Sequence, residues 1–433
     1  MTLSPAAKHT VFFFSFIGVS LNILYAGYSF GIPSIVIFLF LYSIVAVTYM
    51  PKKLISPSSI IFGYYFIWFI LAPTFSELHA HDNFASRNYY ICYFMITLVF
   101  ATAIFGIKIG EQRPLSNEPP ITAPKLRIPK LSWLIALYCV SSTCVVAIVL
   151  SSGGFEKWIA DPGDAFLNRT GSGIYVVASH FSTFCLSGLV GYYAFASKRK
   201  FPIYIFLAWL LVTSPVHGSK GLISLFLILL FSPWLASLRM LSIRSVFFIL
   251  ALVGVFFLGL YFRNISWLTI SEAVPYALNY FTTLRNLHIL VEDFDPNFMT
   301  TFWLPFNKFL TPFGLKDSSL YFDMNHYLTD IYFPTAWKIR ATEQWPVEAD
   351  MYLNFYFIFG LPLIFLYTFI VSRIHSLAFS KRNLGLLIVS MLLIVSLVSH
   401  FRGSIINHLD FYLYPMFVII YFLLRGYGFP TRQ

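Results

Sequence analysis

Apolar windows long enough to span hydrocarbon recur along this chain almost without interruption, and no other feature limits its fold so strongly. About 20 apolar residues carry a helix across roughly 30 Å of bilayer core. Twelve such windows follow one another: 11–28, 31–50, 58–75, 89–109, 131–150, 174–196, 201–216, 220–238, 245–262, 348–371, 384–401 and 408–425. Within a bilayer every backbone polar group must find its partner inside the protein, so segments of this length read as helices. Composition agrees, since 58% of residues are hydrophobic and only 11% are charged, far from the roughly one-quarter charged content of soluble domains. The expected fold is an all-α polytopic membrane protein of about 12 transmembrane helices. Residues 1–262 would hold helices 1–9, residues 263–347 one large loop outside the bilayer, and residues 348–433 helices 10–12. The first window follows a tail with one cation, Lys8, and Ala26-Gly27-Tyr28 is a poor cleavage site, so it reads as uncleaved. Cys92, Cys139, Cys144 and Cys185 all fall inside windows, which suggests neither a disulfide framework nor a thiolate metal site. No solenoid-length repeat and no nucleotide-binding domain is visible.

Threading the windows in order assigns every loop to a side. One side collects 18 of the 29 lysines and arginines but only Glu111 and Glu118 among the 18 acids. The positive-inside rule makes that side the cytoplasm, with both termini on it. The net charge of +11 is therefore a topology signal and implies no nucleic-acid partner. The large loop from Arg263 to Val347 then lies outside, together with the shorter loops 76–88 and 151–173. Structureless stretches of such length inside a compact protein are usually functional.

Within the windows the acids are few and lie at outer ends, Glu348 and Asp350 at the start of the tenth and Asp410 near the outer end of the last. Ion-coupled carriers place ionisable groups or broken helices near the midplane, so this scarcity argues against one. The outer ends are richer. Arg169 in GDAFLNRTGSG, Lys220 in HGSKG, Arg263, Arg285 and Arg402 in SHFRGS come from five separate segments and arrive at one face. A lone cation at a helix end commonly snorkels to headgroups, but outer ends are normally poor in cations. Small residues beside Arg169, Lys220 and Arg402 would let backbone N–H groups approach an anion, and guanidinium forks match phosphate oxygens. HGSKG is too short for a nucleotide P-loop and suits an interfacial phosphate site.

The large loop holds a second constellation. Ala273, Ala277, Tyr280, Phe281, Leu284, Leu287 and Val291 recur at three and four, predicting an amphipathic helix with Arg285, His288 and Glu292 on its other flank. Further along stand Asp323, His326 and Asp330, then Arg340 and Glu343 before the tenth window and Glu348 and Asp350 at its start. Carboxylates and histidines are the groups that general-base chemistry on a sugar hydroxyl requires. Tyr321, Tyr327, Tyr332, Trp337 and Trp345 suit stacking on sugar rings and equally an interfacial belt. No His/Asp/Glu spacing matches a metal motif, and no metal or other cofactor is assigned.

In these features the chain resembles the Wzy-type O-antigen and capsule polymerases of bacterial inner membranes. The similar parts are Arg169 with Gly171 and Gly173, the GSKG turn at Lys220, the stretch Glu348 to Gly360 with its E-x-x-x-x-x-N-F pattern, and Arg402-Gly403. The arginine, ten residues, glycine spacing of some members is absent after each outer arginine. The resemblance implies a GT-C-like architecture and a metal-independent inverting glycosyl transfer. A growing glycan on undecaprenyl pyrophosphate would pass to a new lipid-linked repeat unit, with a flippase and a chain-length regulator as possible partners. Arg169, Lys220, Arg263, Arg285 and Arg402 would hold the pyrophosphate, and His326, Glu348 and, behind them, His288 are the candidate bases. The related O-antigen ligases share the layout, and a lipid-linked oligosaccharide flippase is the other alternative.

Overall fold

In the computed structural model, the described residues are 4–112, 128–160, 162–167, 173–217, 220–236, 238–240, 242–260, 270–310, 321–338 and 342–428. They form an all-helical, polytopic membrane protein. Seven helices are long and apolar enough to cross a bilayer: Pro5–Phe30, Pro57–Phe75, Arg87–Gly110, Leu131–Ser151, Gly173–Ser197, Ile358–Lys381 and Leu384–Phe401. Shorter apolar helices at Ser34–Tyr49, Phe201–His217, Leu222–Leu235, Ile243–Gly254 and Asp410–Leu424 fall on the remaining windows.

The Arg87–Gly110 helix is the centre of the bundle, buried nearly all round, whereas Pro5–Phe30 leaves most of its surface to the surroundings. The last turns of the central helix carry Gly106-Ile-Lys-Ile-Gly110, and the glycines decide how it packs. A Cβ on Gly106 would lie 2.6 Å from the Phe365 carbonyl oxygen, and one on Gly110 2.6 Å from that of Phe369. Two backbones therefore meet directly, the small-xxx-small contact of membrane helices. Ser372 Oγ seals it with a 2.9 Å bond to the Ile107 carbonyl.

Two sequence expectations are corrected. The tenth apolar run does not start as a span at Glu348. Val347–Asn354 is a separate short helix, and the long helix begins after Tyr356 and Phe357, whose φ angles of 46° and 64° turn the chain sharply. Gly360 then fits where a side chain would run into Met351. Likewise the single amphipathic helix expected in the loop is two, Ile270–Leu278 and Thr283–Asp293, joined by a 3-10 turn at Asn279–Phe281. Leu284, Leu287 and Leu290 still form its buried stripe.

Candidate active site at the loop end of the bundle

The Val347–Asn354 helix is the hub, and its two ends do different jobs. At its C-terminus Asn354 knits loop to bundle: its side-chain oxygen accepts from Thr301 N at 2.7 Å and Phe302 N at 3.0 Å. Its amide nitrogen donates to Thr301 Oγ1 and to Asp350 Oδ1. Asp350 in turn accepts from the backbone N–H of Ile405 at 2.9 Å, fixing the turn that follows Arg402. Burial pushes the Asp350 carboxyl up to about 6, against the pull of these donors.

Glu348, at the other end, is 0% exposed. Tyr65 donates to its Oε1 at 2.8 Å, while Oε2 is buried with no hydrogen-bond partner. Burial pushes its pKa up to about 7, with the Tyr65 bond and its own backbone N–H opposing. A buried carboxyl without a cation costs free energy when charged, and here it is held where protonation and deprotonation balance near neutrality. Tyr64, packed edge-on to Tyr65 at 5.3 Å, lies within electrostatic reach of both Glu348 and Arg402 and bonds the Phe401 carbonyl at 2.5 Å. Arg402 is half-buried. Among the described residues no carboxylate lies within ion-pair distance of it, and burial lowers its pKa from the ordinary arginine value.

The Arg402 turn is braced on both flanks. His400 bonds Asp410 through Nε2 at 2.9 Å and lies 2.9 Å from the Tyr367 hydroxyl, and Asp410 also accepts from Asn407 N. Above it, a side chain on Gly403 would press on Asn325, 3.1 Å away. Asn325 accepts from Trp345 N, and His408 Nδ1 lies 3.2 Å from Asp323 Oδ2.

His326 faces this same cluster, 5.9 Å ring to ring from His408. Asp323 caps its helix by accepting from His326 N. Burial, which would raise the Asp323 carboxyl, is outweighed by the neighbouring His408 and His326, and the group is set below the usual value. The Phe322 N–H donates to His326 Nδ1 at 3.3 Å. A neutral imidazole accepting at Nδ1 carries its proton on Nε2 and is there a donor, not a base. Geometry thus ranks Glu348 above His326.

His288 belongs to a different group. It stacks on Tyr89 at 4.3 Å and lies 3.9 Å from Glu292, beside the His79–Asp82–Tyr89 chain of hydrogen bonds. Burial lowers its pKa, with Glu292 and Asp82 opposing. Arg285 is exposed on the same helix, within electrostatic reach of Glu343, whose carboxyl burial raises. Glu343 lines a polar cleft of about 320 Å³ with Tyr276, Tyr280, Asn279, Asn286 and Gln344. Tyr64 stacks on Trp68, which meets Phe281 edge-on, so aromatic rings run from beside Tyr65, the partner of Glu348, to Phe281, next in the chain to Tyr280 of the cleft wall. Arg169 and Arg263 lie outside the described residues, as does the side chain of Lys220, whose backbone opens the Lys220–Leu235 helix.

Sequence reasoning missed Tyr64, Tyr65, His400 and His408. The faint signals were a Tyr-Tyr pair inside an apolar window and two histidines flanking Arg402. No family model, no curated protein and no solved structure matches this chain.

Proposed function

We propose that the protein is a bacterial inner-membrane polymerase of lipid-linked oligosaccharide repeat units, acting at the periplasmic face. The observation that carries this reading is Glu348: a buried carboxyl pushed up to about 7, with one oxygen held by Tyr65 and the other unpartnered. In the reaction, Glu348 takes the proton from a sugar hydroxyl of the incoming repeat unit. That oxygen attacks the anomeric carbon of the donor glycan with inversion, and the bond to undecaprenyl pyrophosphate breaks. Fixed cations stabilise a diphosphate leaving group. Arg402 serves that role in the core of the site, with Arg285 at its rim and Arg169, Lys220 and Arg263 proposed alongside. The cleft of amides, tyrosines and Glu343 suits a sugar chain, with ring faces for stacking and polar groups for hydroxyls. The twelve apolar helices are read as twelve spans in a GT-C-like arrangement, with both termini cytoplasmic.

An activated lipid-linked donor supplies the driving force, so no nucleotide is required, and in this proposal the fixed cations on the diphosphate take the place of a metal. The test is purified protein in nanodiscs, given undecaprenyl-pyrophosphate-linked repeat units. Longer glycans should form without nucleotide and in the presence of a chelator. A strain lacking the protein should show lipid A core capped with a single repeat unit. Bare core would indicate a ligase, units stranded on the inner leaflet a flippase, and extension abolished by the chelator would end the metal-free mechanism.

A further inference from the structure

At the other end of the bundle lies a second cavity, of about 510 Å³, formed by the Lys52–Ser58 turn, the foot of the Arg87–Gly110 helix and the last turns of the Leu361–Lys381 helix. Tyr89 marks the loop end of the central helix through its contact with His288. At 1.5 Å per residue Lys108 is about 28 Å away along the same helix. This cavity is therefore distinct from the site around Glu348, and its ligand chemistry is independent of the reaction there.

Its cations are placed by backbone, not left to wander. Lys52 O accepts from Met240 N and Leu54 N donates to Leu238 O, both at 3.0 Å. Ser59 Oγ bonds Lys53 O at 2.5 Å. The turn is thus pinned between two segments. Lys53 Nζ lies 3.2 Å from the centre of the Phe379 ring, and among the described residues no carboxylate is within ion-pair distance of it. Burial draws its pKa down to about 8, with Glu111 acting against. Lys108 is paired, at 2.8 Å, with Glu111, which also accepts from Ser58 Oγ. Glu111 is the one acid in the cavity wall, set against Lys52, Lys53 and Lys108. His375 also lines the cavity; it is buried, and its Nδ1 has no hydrogen-bond partner.

A snorkelling lysine reaches out to water with its stem on apolar surface. Lys53 does the reverse: its ammonium sits inside, half-buried, beside an unpaired imidazole. Unpaired donors around a polar void are the signature of a missing acceptor, and several lysines with hydroxyls recognise phosphate as point charges do. The volume exceeds that of a bare phosphate and falls in the range of small-molecule sites.

We propose that this cavity binds a phosphate-bearing anion, either the headgroup of an anionic lipid or a free phosphate compound, held by Lys52, Lys53 and Lys108 with His375 and Ser376 as hydrogen-bonding partners. The test uses the full-length protein purified in a neutral detergent. Phosphatidylglycerol is titrated by native mass spectrometry and inorganic pyrophosphate by calorimetry. At least one should bind saturably, and Lys53→Gln and Lys108→Gln should each weaken it about tenfold or more. Lys200→Gln, which removes an exposed lysine outside the cavity, should bind as the parent does. Saturation by phosphatidylglycerol alone identifies a headgroup site, and saturation by pyrophosphate a site for a soluble anion. Should a lysine variant not run as a single species on gel filtration, Ser376→Trp fills the cavity while keeping its charge, and the same loss is expected. Saturable binding of neither probe, or parent-like binding by the Lys53→Gln and Ser376→Trp proteins, overturns the proposal.

Discussion

Tyr65 donates a 2.8 Å hydrogen bond to Oε1 of Glu348 and leaves Oε2 of the same carboxyl buried without a partner. One oxygen is thereby fixed and the other left without a hydrogen bond, on a helix whose far end is locked to the loop by Asn354. A carboxyl desolvated this completely favours its neutral form, and the tyrosine supplies the opposing pull that keeps the charged form within reach near pH 7.

Glu348→Gln should abolish glycan extension, with a loss of about 100-fold or more, as for a deleted general base. The same variant should be the more stable protein at alkaline pH. Glu348 titrates from 4.5 in the unfolded chain to about 7 in the fold. The native state therefore holds the proton more tightly, and this stability is complete below pH 4.5 and is lost as pH rises through 7. The loss is at most about 3 kcal/mol. Thermal unfolding should show the Glu348→Gln protein melting above the parent at pH 8 and level with it near pH 4.5. Equal melting at both would mean Glu348 is not held protonated by burial.

Tyr65→Phe removes the donor that favours the carboxylate, so the Glu348 pKa should rise further above 7. The ascending limb of the pH–rate profile should then move to higher pH, with activity at pH 7 reduced and largely recovered at pH 8.5. A uniform loss with an unmoved limb would assign Tyr65 a packing role only.

The helical architecture was legible because hydrocarbon thickness imposes a length that apolar runs must meet, and eleven of the twelve windows fall on an apolar helix, while the other, 348–371, overlaps one displaced to Ile358–Lys381. Hydropathy failed at 348–371, where the apolar run continues across a backbone reversal at Tyr356 and Phe357; Gly360 was the only local hint. Glu348 and Arg402 stood out as charges beside apolar segments. Tyr65 did not, since an aromatic in a span reads as packing and its partner is 283 residues away. The pairings of His400 with Asp410 and His408 with Asp323 rest on tertiary contacts that no local periodicity encodes.

Arg402 is set in a turn braced by Asp350, His400 and Asp410, with no carboxylate among the described residues to neutralise it. Arg402→Ala should lower kcat/KM about 100-fold, the scale seen for loss of one oxyanion-stabilising donor. Inhibition by undecaprenyl pyrophosphate, the product of the proposed reaction, should weaken in parallel. Arg402→Lys should restore only part, since an ammonium lacks the two-pronged fork. Unchanged product inhibition in the alanine variant would remove Arg402 from the diphosphate site.

Gly106→Leu tests the central helix pair. A Cβ there already meets the Phe365 backbone at 2.6 Å, so the two helices must part and the Ser372–Ile107 bond must break. Overpacking of this kind costs about 1–3 kcal/mol or more, and the detergent-solubilised protein should melt well below the parent or aggregate. Gly18→Leu, where nothing lies within 4 Å of the added Cβ, should melt as the parent does.

Orientation decides whether any of this chemistry faces the compartment that holds the lipid-linked substrate. The charge asymmetry predicts that the loop end faces outside and the lysine-rich end inside, and two exposed positions sample them: Thr335 on the loop and Arg199 between the Gly173–Ser197 and Phe201–His217 helices. In intact cells Thr335→Cys should react with a membrane-impermeant maleimide and Arg199→Cys should not, whereas both should react once the membrane is opened. The parent, with its own four cysteines, sets the background. The reverse pattern would put Glu348 and Arg402 in the cytoplasm, where lipid-linked units have not yet been flipped, and the polymerase reading would fall with it.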